Sequence, residues 1–267
     1  MSGQIDETAR IHPSAIIEDG ATIGAHCRIG PYCVIGSDVT LGAGVILDSH
    51  VVVSGWTSIG DETRIWPFAS IGSAPQDLKY KGERTEVRIG KNNMIREYVT
   101  VNSGTDGGGG LTRMGDGNLL MMHVHLAHDC DVGDNVIFAN GVQVAGHVQI
   151  ANDAVIGSMA GLHQFIRVGQ GAMIGAGSMV VYDVIPFGTV NSPRGVLAGL
   201  NLIGLKRRGV DKDDINGLRR AYKELFTTDG ALLEKARHLA EGDTTPLVEE
   251  VLNFLISDSD RSFCTPE

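Results

Sequence analysis

The stretch 23–47, IGAHCRIGPYCVIGSDVTLGAGVIL, places an aliphatic side chain at every sixth residue: Ile23, Ile29, Ile35, Leu41 and Leu47. The series runs on through Val53, Ile59, Ile65 and Ile71. Four residues after each aliphatic stands a small or β-branched side chain, Cys27, Cys33, Val39, Val45, Val51, Thr57, Thr63 and Ala69 in turn, and glycine commonly follows the aliphatic directly. Such a period is neither helical nor simply alternating. It fits short strands that each send one aliphatic and one small side chain inward, then turn a corner where glycine relieves the steric demand. Three strands make one coil of eighteen residues, and stacked coils form a parallel β-helix with strands about 4.8 Å apart. Residues eighteen apart then stack in columns.

The repeat begins near Ile5 and Ile11, resumes at Ile89, Ile95 and Val101, and runs from Met114 to about Pro186. Its phase also holds across Pro75 to Arg88, but Asp77 and Glu83 occupy the inward positions there, so 75–88 reads as an excursion from the coil. A second excursion falls at 106–113, because Val101 and Met114 are thirteen residues apart and the Gly107–Gly110 run cannot make a strand. Loops leaving a solenoid project on one face, often the binding face. The chain thus divides into a β-helix over 1–193 and an α-helical subdomain over 194–267.

In that second part Leu197, Leu200 and Leu205 lead to Lys206, Arg207, Arg208 and Gly209, a basic end and glycine that suit a helix C-terminus. A second helix starts from a cap among Asp211–Asp214 and carries Ile215, Leu218, Ala221, Tyr222 and Leu225. A third spans 231–240, and a fourth follows Thr245-Pro246 with Leu247, Val251, Leu252 and Leu255 on its apolar face. Four helices this short bury too little to stand alone, so they pack on the last coils or on a neighbouring subunit.

Composition bounds the function. With a net charge of −10 and 5% aromatic residues the chain is no generally basic nucleic-acid binder. No apolar run reaches the roughly 18 residues of a membrane span, and the N-terminus lacks a basic region followed by an apolar core, which makes the cytoplasm the expected compartment. Cys27, Cys33 and Cys130 occupy small inward slots, where a thiol behaves as a small hydrophobe, and Cys264 reads as incidental.

The chemistry concentrates between Met121 and Arg167, which hold His123, His125, His128, His147 and His163. One coil on from His128 is position 146, beside His147, and one coil on from His147 is 165, near His163. Three coils therefore bring histidines close to one column, as proton transfer or metal binding requires.

The segment His125-Leu-Ala-His128-Asp129-Cys130, with Ala145-Gly146-His147-Val148 and Leu162-His163-Gln164-Phe165, resembles the UDP-N-acetylglucosamine O-acyltransferase family, which catalyses the first step of lipid A synthesis. The resemblance extends to Gln76-Asp77-Leu78-Lys79-Tyr80, Ile95-Arg96-Glu97 and Gly204-Leu205-Lys206-Arg207-Arg208-Gly209, nearly the whole chain. It implies a homotrimer of left-handed parallel β-helices with sites between subunits, an exception to the right-handed crossover rule that periodicity cannot reveal. It also implies transfer of an (R)-3-hydroxyacyl chain from acyl carrier protein to the glucosamine 3-hydroxyl of a UDP-sugar. No cofactor, resident metal, nucleic-acid partner or membrane span is expected.

Matched residue by residue, the resemblance puts the general base at His128, its orienting carboxylate at Asp129 and an oxyanion donor at the Gly146 backbone N–H. His125, His147, His163 and Gln164 would line the site, Asp77 and Lys79 would reach the sugar and acyl groups, and Asn201 and Arg207 would hold the nucleotide diphosphate end. Ala176 falls where the family tunes acyl length. Two positions depart from the pattern: Asn102 stands where close relatives place histidine, and Ile203 where some are acidic. Because the carrier is acidic and so is this chain, docking needs a local basic patch, for which Lys206, Arg208, Arg219, Arg220 and Lys223 are candidates. The rival expectations are an N-acyltransferase acting on the 3-amino analogue of the UDP-sugar, a metal-dependent hydratase using His123, His125, His128 and His147, and a non-catalytic scaffold.

Overall fold

The computed structural model describes residues 3–257, 259 and 261–267. Most strands are two residues long, and they stack into three sheets of 11, 9 and 8 strands, parallel but for the last strand of the largest, that form the faces of a triangular prism. Register confirms the eighteen-residue coil: Ile11 pairs with Ile29, Ile29 with Leu47, and Leu47 with Ile65. The coil is left-handed. Its interior is filled by the aliphatic and small positions of the repeat, from Ile23 through Ile35, Ile71 and Leu126 to Ile174, all buried. Cys27, Cys33 and Cys130 lie among them as free thiols, each within hydrogen-bonding reach of a carbonyl, those of Gly42, Asp48 and Ala145.

The repeat glycines do a different job from the expected one. Gly24, Gly30 and Gly60 have no left-handed backbone; a Cβ at Gly24 would instead sit 2.7 Å from the Gly42 carbonyl carbon of the next coil. They permit close stacking of coils. The left-handed corner comes two residues later and is commonly taken by ordinary side chains, among them His26, Tyr32, His50, Phe68, Asp129, His147 and Phe165. Corner residues of one column lie on one another, and Tyr32, His50, Phe68, Tyr98 and His123 form a continuous ladder with ring centroids 4.9–5.1 Å apart. Contacts between stacked rings offset the modest cost of non-glycine residues at positive φ.

The excursions are shorter than expected at their C-terminal ends. Ile65 pairs with Ile95, thirty positions on instead of eighteen, and Glu86–Ile89 is already a strand paired with Trp56–Ile59. The first excursion is therefore 74–85, an insertion of twelve residues. Twelve is two whole repeats, which is why the phase runs through it. Glu86 pairs with Leu111, twenty-five positions on, so the second excursion occupies 103–110 and shifts the phase by one.

The start of the helical part also differs. Val196–Leu200 is a strand, antiparallel to Gly188–Asn191, and it closes the end of the prism. Leu197 is buried there, so its spacing from Leu205 belongs to two different elements. Helix α1 covers only Leu202–Arg207, capped by Asn201; α2 (Lys212–Thr227) is capped by Asp211; α3 is Leu232–Ala240 and α4 is Pro246–Ile256. The segment after α4 returns to the coil. Arg167 bridges Asp183 at 2.7 Å, donates to Ser257 Oγ at 2.6 Å and lies 4.4 Å above the Phe254 ring. Asp183, fully buried, accepts the Cys264 N–H through its backbone carbonyl. Cys264 is thus a core residue, not an incidental one, and burial pushes its thiol up to about 12. Among the described residues no helix is long and apolar enough to cross a membrane.

Candidate active site

His128 and Asp129 sit at a corner of the coil, where Asp129 takes the left-handed conformation with φ +59°. That turn folds its carboxylate back, so Oδ2 lies 2.8 Å from Nδ1 of its neighbour His128. A ring nitrogen facing a buried carboxylate carries the proton, which leaves Nε2 as the acceptor. The Asp129 side chain is 1% exposed and its charge is met by donors: the Thr105 N–H to Oδ1 at 2.8 Å and the Thr105 hydroxyl to Oδ2 at 2.6 Å. The Asp129 N–H donates to Thr112 Oγ1 at 2.8 Å.

One coil further, Gly146 packs against the His128 ring so closely that an added Cβ would stand 2.8 Å from Nε2. Among the described residues its N–H donates to no carbonyl. His147 follows in the corner position, edge-on to His128 at 5.1 Å and stacked on Phe165 at 4.3 Å. Its Nε2 is 3.8 Å from Asp129 Oδ2. Burial lowers its pKa from the usual imidazole range, opposed in part by the Asp129 charge. The same desolvation, aided by His128, lowers that of His125, whose Nδ1 lies 2.7 Å from Thr100 Oγ1.

Two cavities flank these rings. One of about 460 Å³ is lined by His125, His128, Gly146, His163 and Gln164, with Met179 and Val180 on its apolar side. The other, about 780 Å³, opens between the two excursions and is lined by Asp77, Lys79, Thr105, His147 and Phe165. The larger carries His147 and the carboxylates Asp77, Glu83 and Asp106 on its wall, but not the carboxylate-held His128. The smaller, holding Nε2 of His128 beside a glycine backbone, is where acyl chemistry fits.

Besides Asp129, buried behind His128, three expected site residues do not line either cavity. Asn201 spends its side chain on structure, Oδ1 accepting the Gly204 N–H at 2.9 Å and Nδ2 donating to the Gly171 carbonyl at 3.0 Å. Arg207 is exposed at the end of α1, and Ala176 is exposed on a corner between Gly175 and Gly177. The eighteen-residue step from 147 to 165 holds, with Phe165 stacked on His147, and His163 lies on the wall of the His128 cavity. Thr105 was missed by sequence reasoning, since the length of the second excursion had to be known before it could be placed beside Asp129. Asn102 is buried and ties down the first excursion, its Nδ2 donating to the Ala74 carbonyl at 3.1 Å.

A parallel β-helix of six-residue repeats, with a histidine held by a buried carboxylate, defines an acyltransferase of the hexapeptide class, and residues 3–37 and 112–146 match the model described as bacterial transferase hexapeptide. Residues 183–264 match the second domain of UDP N-acetylglucosamine O-acyltransferase. Acyl-[acyl-carrier-protein]–UDP-N-acetylglucosamine O-acyltransferase from Rhizobium johnstonii is 47% identical over 264 residues, 98% of this chain and 97% of that one. The Paracoccus denitrificans protein of the same name is 56% identical over 76% of this chain and 77% of its own. The solved UDP-N-acetylglucosamine acyltransferase from Campylobacter jejuni superposes with a TM-score of 0.92 at 38% identity, covering 97% of this chain and all of that one. The chain belongs to the UDP-N-acetylglucosamine O-acyltransferase family.

Proposed function

We propose that the protein transfers an (R)-3-hydroxyacyl group from acyl carrier protein to the glucosamine 3-hydroxyl of UDP-N-acetylglucosamine, the opening step of lipid A synthesis, and that it does so in the cytoplasm as a homotrimer. The observation that carries this reading is the placement of His128 between the Asp129 carboxylate and the Gly146 backbone on the wall of one cavity. A free alcohol is a poor nucleophile at neutral pH. His128 Nε2 takes the acceptor proton as the sugar oxygen attacks the thioester carbonyl, and Asp129 holds the Nδ1–H tautomer and balances the imidazolium. The tetrahedral oxyanion accepts the Gly146 N–H. Collapse breaks the C–S bond, and the proton on Nε2 passes to the departing thiolate of the carrier.

His125, His163 and Gln164 act as polar contacts for sugar or acyl hydroxyls on that wall, and neutral imidazoles, as burial favours at His125 and His147, serve such contacts without repelling one another. Asn201, Arg207 and Ala176 stand off the His128 cavity within one chain, which supports a site completed by neighbouring copies. Asp77 and Lys79 on the first excursion line the neighbouring cavity beside His147 and would reach sugar and acyl groups from there.

Two rival readings lose their support. The hydratase reading needs His123, His125, His128 and His147 to share one ion, but His123 is stacked on Tyr98 in the ring ladder, and among the described residues the side chains near enough to one another are His128, Asp129 and His147, without His123 and His125. The 3-amino acceptor drew on the departures at Asn102 and Ile203; Ile203 is 66% exposed, and Asn102, on the wall of the His128 cavity, spends its Nδ2 on the first excursion, which leaves its Oδ1 alone to favour an amine. The test is an acyl-transfer assay with a panel of 3-hydroxyacyl carrier proteins against both acceptors. His128→Ala should cost on the order of 10²–10⁴-fold in rate while the protein stays folded. Activity within about threefold of wild type, or transfer to the 3-amino sugar alone, would overturn the assignment.

A further inference from the structure

The second excursion, 103–110, is the one insertion that breaks the repeat phase, and it lies over the Asp129 carboxylate. A 3₁₀ turn at Asp106–Gly108 closes on Thr105: the Gly108 and Gly110 N–H groups donate to the Thr105 carbonyl at 3.0 and 2.8 Å. Thr105 so held turns both of its own donors onto Asp129, at 2.8 Å from the backbone and 2.6 Å from the hydroxyl. The remaining donor in reach is His128 Nδ1. Gly108 is in contact with the carboxylate from outside, and a Cβ there would collide with it. A carboxylate this buried, on a corner residue with positive φ, is shut off from bulk solvent and takes its orientation from these protein donors.

We propose that Thr105 is a positioning residue for acyl transfer: the excursion exists in this length to bring its hydroxyl to Asp129, locking the carboxylate rotamer that aims His128 Nε2 into the cavity. This rests on His128 acting as the base. Without the hydroxyl, Oδ2 keeps only the His128 hydrogen bond and the carboxyl group can rotate about its single Thr105 N–H anchor. The loss falls on the geometry of proton transfer: Thr105 lines the larger cavity and not the one that holds His128, and its hydroxyl is spent on Asp129 Oδ2 at 2.6 Å, so the valine variant removes no group free to bind substrate.

The test is Thr105→Val, which keeps volume and β-branching but removes the donor, beside Thr105→Ser, which restores it. A lost hydrogen bond to a charged group predicts a fall in kcat of about tenfold or more, with KM for both substrates within about twofold and with serine recovering most of the rate. Gly108→Ala, which keeps the hydroxyl but pushes the carboxylate, should give the same kcat-only loss. Unchanged kcat in Thr105→Val overturns the proposal, and so does an equal loss in the valine and serine variants, which would mark a role of shape alone. His128→Ala is assayed alongside. If it is inactive while Thr105→Val is normal, only the positioning role fails; if it is active, the base assignment fails and takes this inference with it.

Discussion

Gly146→Ala is the perturbation that isolates the geometry of the base. Gly146 has no left-handed φ, so alanine meets no backbone strain there, and the N–H assigned to the oxyanion is retained. Only space changes. The new methyl would lie 2.5 Å from Cε1, 2.8 Å from Nε2 and 3.0 Å from Nδ1 of His128. Ordinary contact needs about 3.5 Å, so the ring must retreat by up to roughly 1 Å while tethered at 2.8 Å to Asp129. A misplacement of about 1 Å in a reacting group costs on the order of 10²-fold. The expected result is kcat down by about two orders of magnitude, with calorimetric affinity for UDP-N-acetylglucosamine little changed and the melting temperature close to wild type. Gly36→Ala, whose nearest neighbour would be an ordinary 3.4 Å away, is the control for a coil glycine far from the site. A Gly146→Ala enzyme within threefold of wild type would refute the placement of His128 as base against this backbone.

Arg207→Ala, at the exposed end of α1, should raise the apparent KM for the UDP-sugar more than it lowers kcat, since a guanidinium–phosphate pair acts in binding; an unchanged KM removes Arg207 from the nucleotide site. Ala176→Gly should shift preference toward longer 3-hydroxyacyl chains and Ala176→Met toward shorter ones, each buried methylene being worth about 0.8 kcal/mol, and a chain-length profile unmoved by both refutes the ruler. Because burial lowers the pKa of His125 and His147, the unfolded chain binds protons that the native chain refuses as pH falls below about 6.5. Stability is therefore full above that pH and declines below it; a His125→Gln/His147→Gln double variant should flatten the fall in urea midpoint between about pH 7 and pH 5, and an identical slope counts against the shift.

The six-residue period, the eighteen-residue coil and the inward set are legible in the chain because each coil repeats the same local problem, and neighbours eighteen apart need no distant partner. The helix starts at Asp211 and Thr245-Pro246 are legible for the same reason, capping being local. The corner is only partly so: glycine after the aliphatic serves coil stacking, and while many of the left-handed residues two positions on are His, Asn, Asp or Gly, Tyr32, Phe68 and Phe165 take the same place against propensity. At Leu197 the difference comes from competition between elements, since the apolar spacing of Leu197, Leu200 and Leu205 suits a helix until the open end of the prism claims 196–200 as a closing strand.

At the site, the resemblance carried by the histidine segments points to His128, Asp129 and Gly146, and the structure brings these three together. Sequence by itself determined the coil, and through it that 128, 146–147 and 163–165 come to one region of the prism. Only tertiary structure decided that Thr105 holds the carboxylate and that Asn201, Arg207 and Ala176 stand apart from the base within one chain. The physical reason is that a repeat transmits position by counting, whereas an insertion resets the count by its own length. Which side chain of residues 103–110 meets Asp129 depends on how that loop closes its 3₁₀ turn over the corner, and no period in the chain encodes that closure.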